Sequence, residues 1–235
     1  MSEALAPPHA VRILHGDLWR GGRLVLRSDE LEIPLPSIVG LIGANGAGKS
    51  TLLHSLANVL GPSATVRVTI DEQVVHSAAL VTQSPELPHW LTLDEILDLA
   101  NCGETATSMI DDLEIGSLRN RRAATFSAGQ RQLVGLVLGL SSGEALTLLD
   151  EPLAHLDMRA RSRVSHWIKE VSRAGRETIT FISSHSPAEL IDLCDWIVAI
   201  RRAEYSFSGP KSALLPLNGQ DGVRSRLRRR MLELV

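Results

Sequence analysis

The apolar run Ile38-Val39-Gly40-Leu41-Ile42 leads directly into Gly43-Ala44-Asn45-Gly46-Ala47-Gly48-Lys49-Ser50, and then into leucines at 52, 53, 56 and 60. A short apolar run reads as a buried strand, and leucines at that spacing form one face of a helix. The eight residues between must therefore turn the chain from strand to helix. Their pattern is G-x-x-x-x-G-K-[ST], in which glycines let the backbone curl until successive N–H groups face one concavity. The dipole of the following helix adds to that anion site, which suits a triphosphate. The spacing is not G-x-G-x-x-G, so a nicotinamide enzyme is disfavoured.

Composition sharpens this reading. Of 24 basic residues only Lys49, Lys169 and Lys211 are lysines. A thin ammonium stem at position 49 reaches β- and γ-phosphates where a forked guanidinium is too broad. The Ser50 hydroxyl beside it is a Mg²⁺ ligand. With 235 residues and a net charge of −3, the chain suits one soluble domain and shows no nucleic-acid footprint. Cys102 and Cys194 match no metal spacing and read as small apolar residues in a reduced cytosol. The start MSEALAPPHA has no basic, apolar leader, and no stretch is long and apolar enough to span a bilayer.

Strand-like runs at Thr65–Ile70, Ala79–Thr82, Leu146–Leu149, Thr178–Ile182 and Trp196–Ile200 alternate with helical patterns at Gln130–Leu140, Met158–Ala174 and Pro187–Cys194. That alternation predicts an α/β fold with a mostly parallel, doubly covered sheet. Before position 37, runs at Leu24–Leu26 and Leu31–Leu35 broken by Gly21-Gly22, Pro34 and Pro36 predict short strands, an N-terminal antiparallel β subdomain. Residues 84–138 lack a strand pattern and hold a helix over Leu93–Leu99 opened by the capping box Thr92-Leu93-Asp94-Glu95. They are expected to form a helical subdomain inserted into a core made of 1–83 and 139–235.

A second acidic feature completes the nucleotide machinery. The run Leu146-Thr147-Leu148-Leu149 delivers Asp150 and Glu151 to the carboxyl edge of a sheet, where such folds bind ligands. Asp150 suits a Mg²⁺ shell, and Glu151 is placed to polarise an attacking water.

The order of phosphate loop, Gln83, Phe126-Ser127-Ala128-Gly129-Gln130, Asp150-Glu151-Pro152, Leu156-Asp157 and Ser184-His185 resembles the ATP-binding cassette (ABC) ATPases from about Trp19 to Phe207. The resemblance implies a phosphate-loop ATPase using Mg²⁺ with ATP. Gln83 corresponds to a Mg²⁺ and water ligand at the hinge to the helical subdomain, and His185 to a switch touching the γ-phosphate. Glu151, His185 and Gln83 are thus the catalytic candidates, and Ser50, Gln83 and Asp150 the metal candidates. Gly43, Asn45, Gly46, Ala47, Gly48, Lys49, Ser50 and Thr51 would bind ATP, with Trp19 stacking on adenine. Ser127, Gly129 and Gln130 correspond to the family signature, and Asp157 to a loop crossing to a second ABC subunit, identical or paralogous, that completes the site. Ala128 replaces the usual glycine.

The resemblance further implies a multi-spanning membrane subunit as partner and a peripheral place on the cytoplasmic membrane face. The compact segment after Gln83, with Trp90 lining a docking groove or packing inside, is similar to subunits of ABC-2-type exporters. A soluble, non-transport ABC ATPase, as in iron–sulfur assembly, is the alternative. A GTPase is disfavoured because no Asn-Lys-x-Asp occurs. Arg224, Arg226, Arg228, Arg229 and Arg230 form a tail read either as a solvated helix end or as a contact with anionic lipid; no nucleic-acid partner is expected.

Overall fold

The computed structural model describes residues 10–57, 66–175, 177–214 and 223–234. Four strands, β1 (Ala10–His15), β2 (Leu18–Arg20), β3 (Arg23–Leu26) and β4 (Asp29–Pro34), precede β5 (Ser37–Ile42) and helix α1 (Lys49–Leu56). Next come β6 (Val66–Ile70), β7 (Gln73–Val74) and β8 (Ala79–Val81), then α2 (Leu93–Leu99), α3 (Glu104–Asp112) and α4 (Ala128–Leu140). The chain continues through β9 (Leu146–Asp150), α5 (Met158–Ala174), β10 (Ile179–Ser183), α6 (Pro187–Leu193), β11 (Trp196–Arg201), β12 (Glu204–Pro210) and α7 (Val223–Glu233). Leu60 and Thr65, part of the expected helix face and strand, lie outside the described residues, as does most of MSEALAPPHA.

The main sheet has the order β12-β11-β5-β10-β9-β8, parallel except for the β11–β12 pair. Its strands are apolar throughout because both faces are covered. On β5, Ile38 and Ile42 face one core with α2 to α6, while Val39 and Leu41 face the other with α1 and the antiparallel strands. Leu149 and Leu148 of β9, and Ile182 and Phe181 of β10, divide the same way. A Cβ at Gly40 would stand 3.0 Å from the Cys194 sulfur. Cys194 is thus the small apolar filler beneath the sheet, and burial pushes its thiol pKa far up. The antiparallel sheet β4-β1-β6-β7 and the β2–β3 ribbon lie on the α1 side.

From 84 to 138 the chain is helical, and its sole strand-type pairing is the isolated Thr92–Arg122 bridge. Both halves of the Thr92–Glu95 capping box form, and the bonds donated by the Thr92 backbone and hydroxyl hold the Glu95 carboxyl below its usual pKa. Helix α4 comes close enough to the edge strand β8 that a Cβ at Gly139 would lie 2.3 Å from Val81 Cγ2.

Four elements are not singled out individually by the sequence patterns. Strand β1 alternates cleanly in burial despite Arg12 and His15, and β12 forms from Ser, Gly and Pro because β11 lends it a full ladder. Helix α3 holds only Ala106, Met109 and Ile110 inside. The arginine-rich tail is a helix in its own right, with Leu227 and Met231 buried against the core.

Gly139→Leu is expected to overpack the α4–β8 contact and cost about 1–3 kcal/mol, read as a fall of several degrees in thermal melting.

Candidate functional site

Parallel pairing decides which residues meet. Strand β10 lies between β5 and β9, with Ser183 level with both Leu41 and Asp150. The carboxyl edge therefore gathers the loop after β5, Asp150 and Glu151 after β9, and Ser184-His185 after β10. Strand β8 pairs with β9 at Val81–Leu149, which brings Gln83 to the same edge. Gln83 is exposed.

The loop conformation needs its glycines. Gly46 has φ +78° and Gly48 φ +109°, and a Cβ at 48 would lie 2.6 Å from Val25 Cγ1. Strand β3 thus presses directly on the loop. Lys49 is buried, with Nζ donating to the carbonyls of Gly43 (2.8 Å) and Ala44 (3.3 Å). Burial lowers its pKa, and the carboxylates of Glu151 and Asp150 pull it back up. Ser50 is half-buried and Thr51 buried in the first turn of α1. With Gly46 to Thr51 as floor, a cleft of about 540 Å³ opens between the loop, Arg20, Arg23, Leu24 and Val25 of the β2–β3 hairpin, and Arg202-Ala203. Gly43 is buried at the foot of the loop and Asn45 is exposed on it.

The acids are held firmly. Asp150 is 6% exposed and accepts a bond from the Ser183 hydroxyl, which itself accepts from the Glu151 N–H at 2.9 Å. Glu151 sits at φ +49°, a strained backbone for a non-glycine residue. Both its carboxylate oxygens meet His185 Nδ1, at 3.1 and 3.0 Å. An ionised carboxylate only accepts, so Nδ1 carries the hydrogen and Nε2 is left as an acceptor or for a second proton. No cluster of three His, Cys, Asp or Glu capable of holding a metal occurs among the described residues. A Mg²⁺ ion here would take phosphate oxygens alongside hard donors such as Ser50, Gln83 and Asp150, and those oxygen-bearing groups fit that chemistry.

The signature candidates lie elsewhere. Ser127 caps α4 in a capping box with Gln130: Ser127 Oγ accepts from the Gln130 N–H at 3.2 Å, and Gln130 Oε1 accepts from the Ser127 N–H at 2.9 Å. Ala128 opens α4 with an ordinary helical backbone, so alanine there carries no strain. None of 127–130 lines the cleft. A Cβ at Gly129 would lie 3.3 Å from the His155 carbonyl. Asp157 is the N-cap of α5, accepting from the Ala160 N–H at 2.8 Å. His155 stands at φ +62°, a left-handed turn position that histidine tolerates better than most residues. Trp19 is 53% exposed on β2, beside the cleft-lining Arg20. Trp90 is 62% exposed, edge-on to His89, and does not pack inside.

Residues 26–154 match the ABC transporter family. This chain belongs to that family. It is 31% identical over 214 residues to the aliphatic sulfonates import ATP-binding protein SsuB 1 of Rhizobium johnstonii, covering 86% of this chain and 78% of the relative. It is 28% identical over 198 residues to the molybdenum import ATP-binding protein ModC of Aliivibrio fischeri, covering 77% and 53%. Both of these relatives are named for import, whereas the sequence reading of the segment after Gln83 expects an exporter-type subunit. The fold matches a solved ATP-binding subunit of an ABC transporter with TM-score 0.78 at 22% identity, covering 95% and 99% of the two chains. The chain is accordingly an ATP-hydrolysing subunit that powers a membrane transporter.

Sequence reasoning missed the Ser183 bridge and the cleft arginines. Ser183 carries no motif signal, but its place at the last strand position opposite Asp150 follows once β10 is set beside β9.

Lys49→Ala is expected to abolish ATP binding in an equilibrium titration. Because burial lowers the Lys49 pKa, its charge is complete below that lowered value and lost as pH rises through it. ATP affinity should therefore fall at a pH below the ordinary lysine range.

Proposed function

We propose that two copies, or this chain and a paralogue, close head to tail on ATP and drive a multi-spanning membrane subunit. The supporting observation is the separation of two sets of residues. The loop, the acids and His185 gather at the carboxyl edge of the main sheet, whereas Ser127, Gly129 and Gln130 open α4. The cleft itself is lined by the loop and the two hairpins and by none of the acids, His185 or residues 127–130. A helix start with unpaired N–H groups suits the γ-phosphate of a second copy.

In this reading Lys49 and the loop amides of Gly43 to Thr51 bind the β- and γ-phosphates, and Trp19 stacks on adenine. Ser50, Gln83 and Asp150 would hold a Mg²⁺ ion, which would supply positive charge beside the phosphates. Glu151 accepts a proton from the attacking water. His185 orients Glu151 before ATP arrives and turns Nε2 to the γ-phosphate afterwards. Asp157 sits where the closing copies cross.

Residues 84–138 act as the helical subdomain that receives the membrane subunit, with exposed Trp90 in the docking groove. The subunit would sit peripherally on the cytoplasmic face; among the described residues no helix is long and apolar enough to cross a membrane. The tail contributes little to membrane contact. Arg224 pairs with Asp192 and Arg230 with Glu233, and Arg226 and Arg229 are also engaged. Arg228, which has no ion pair among the described residues, is left for anionic headgroups, worth about 1 kcal/mol.

Glu151→Gln is expected to accumulate ATP-bound dimers on size exclusion, with hydrolysis reduced at least about 100-fold; a variant that remains monomeric in ATP and turns over normally removes Glu151 from the role. Affinity purification from native membranes should recover a multi-spanning protein, and a purely soluble partner set would instead favour a non-transport role.

A further inference from the structure

Three arginines around the cleft have no partner among the described residues. Arg20 and Arg23 face each other directly across the β2–β3 ribbon, joined by the turn Gly21-Gly22. Like charges directly opposite on a ladder oppose folding, yet neither side chain makes a hydrogen bond or ion pair among the described residues. Arg202 stands at the tip of the β11–β12 hairpin at φ +53° and is likewise unpaired. The nearby Glu204 is taken by Arg27, 3.1 Å away. The two hairpins are tied to each other by the Arg27 N–H donating to the Ala203 carbonyl at 2.8 Å, and Val25 seats the β2–β3 ribbon on Gly48. All three guanidiniums are thereby carried on backbone fixed to the phosphate loop, and all three line its cleft.

We propose that Arg20, Arg23 and Arg202 form a cationic rim that holds the α-phosphate and ribose side of a nucleoside polyphosphate. The inference rests on the nucleotide reading of the cleft. Lys49 and the loop amides occupy the deep end, so terminal phosphates belong there and the remainder of the nucleotide reaches the rim. Guanidiniums only donate, and phosphate oxygens and ribose hydroxyls accept. Because the rim does not touch the γ-phosphate, it binds ATP and ADP alike. Such uniform binding sets KM and the retention of product, not kcat.

The test is the triple variant Arg20→Gln, Arg23→Gln, Arg202→Asn, with asparagine chosen because it tolerates the left-handed backbone at 202. Equilibrium titrations with ATP and with ADP, each with Mg²⁺, and steady-state hydrolysis are measured beside the parent. With each exposed contact contributing up to about fivefold, both dissociation constants should rise on the order of 10-fold or more, in equal proportion, and the loss should shrink at high salt. Saturated kcat should stay at the parent value, and the thermal melt should be unchanged or raised, since like charges are removed. Parent-like affinities, or a loss confined to kcat or to ATP alone, would overturn the rim. A parent that itself binds neither nucleotide would overturn the nucleotide reading as well, and so is distinguishable from failure of the rim alone.

Discussion

The parallel pairing of β10 between β5 and β9 is the constraint on which the site depends. It levels Leu41, Ser183 and Asp150 across three strands, so three separate segments end at one edge. A one-residue slip would turn the Ile182 and Phe181 faces into the wrong cores. The apolar runs that fill both cores thus also fix the position of the acids relative to the loop. Packing sets the geometry, and the polar residues then work within it.

Several of those polar residues do two jobs. The Ser183 hydroxyl donates to Asp150 and accepts from the Glu151 N–H, steadying a carboxylate and a strained backbone together. Asp157 and Ser127 both cap helices, so the positions proposed to meet a neighbouring copy are also anchored within their own. Lys49 bonds to the loop carbonyls of Gly43 and Ala44. An incoming phosphate must compete with those bonds, while its negative charge offsets the burial that depresses the lysine's pKa.

The sequence was most legible where periodicity and motif agreed. Met158–Ala174, Leu93–Leu99 and the five parallel strands of the main sheet appear within a residue or two of the expected bounds, because continuous apolar runs and clean helical faces allow few alternatives. Strand β12 was not legible, since its Ser, Gly and Pro residues become a strand only through pairing with β11. Among its described residues the tail helix α7 buries only Leu227 and Met231 amid many arginines, a signal too sparse to separate from a solvated end. At the site, the motif residues were readable by type and order. The unpaired arginines were not, because their meaning lies in what fails to approach them in space.

Buried Gln132 lies in the second turn of α4, the helix that Ser127 opens. Its Nε2 donates to the Pro152 carbonyl at 3.3 Å, immediately after Glu151, and its Oε1 is buried without a partner among the described residues. In a head-to-tail pair, Ser127 of a copy would serve one nucleotide and Glu151 of the same copy the other. Gln132 would then be a short mechanical strut between two reaction centres, beside the approach of Gly129 to the His155 carbonyl. Cooperative turnover, with a Hill coefficient above one for ATP, is the kinetic signature of such a strut.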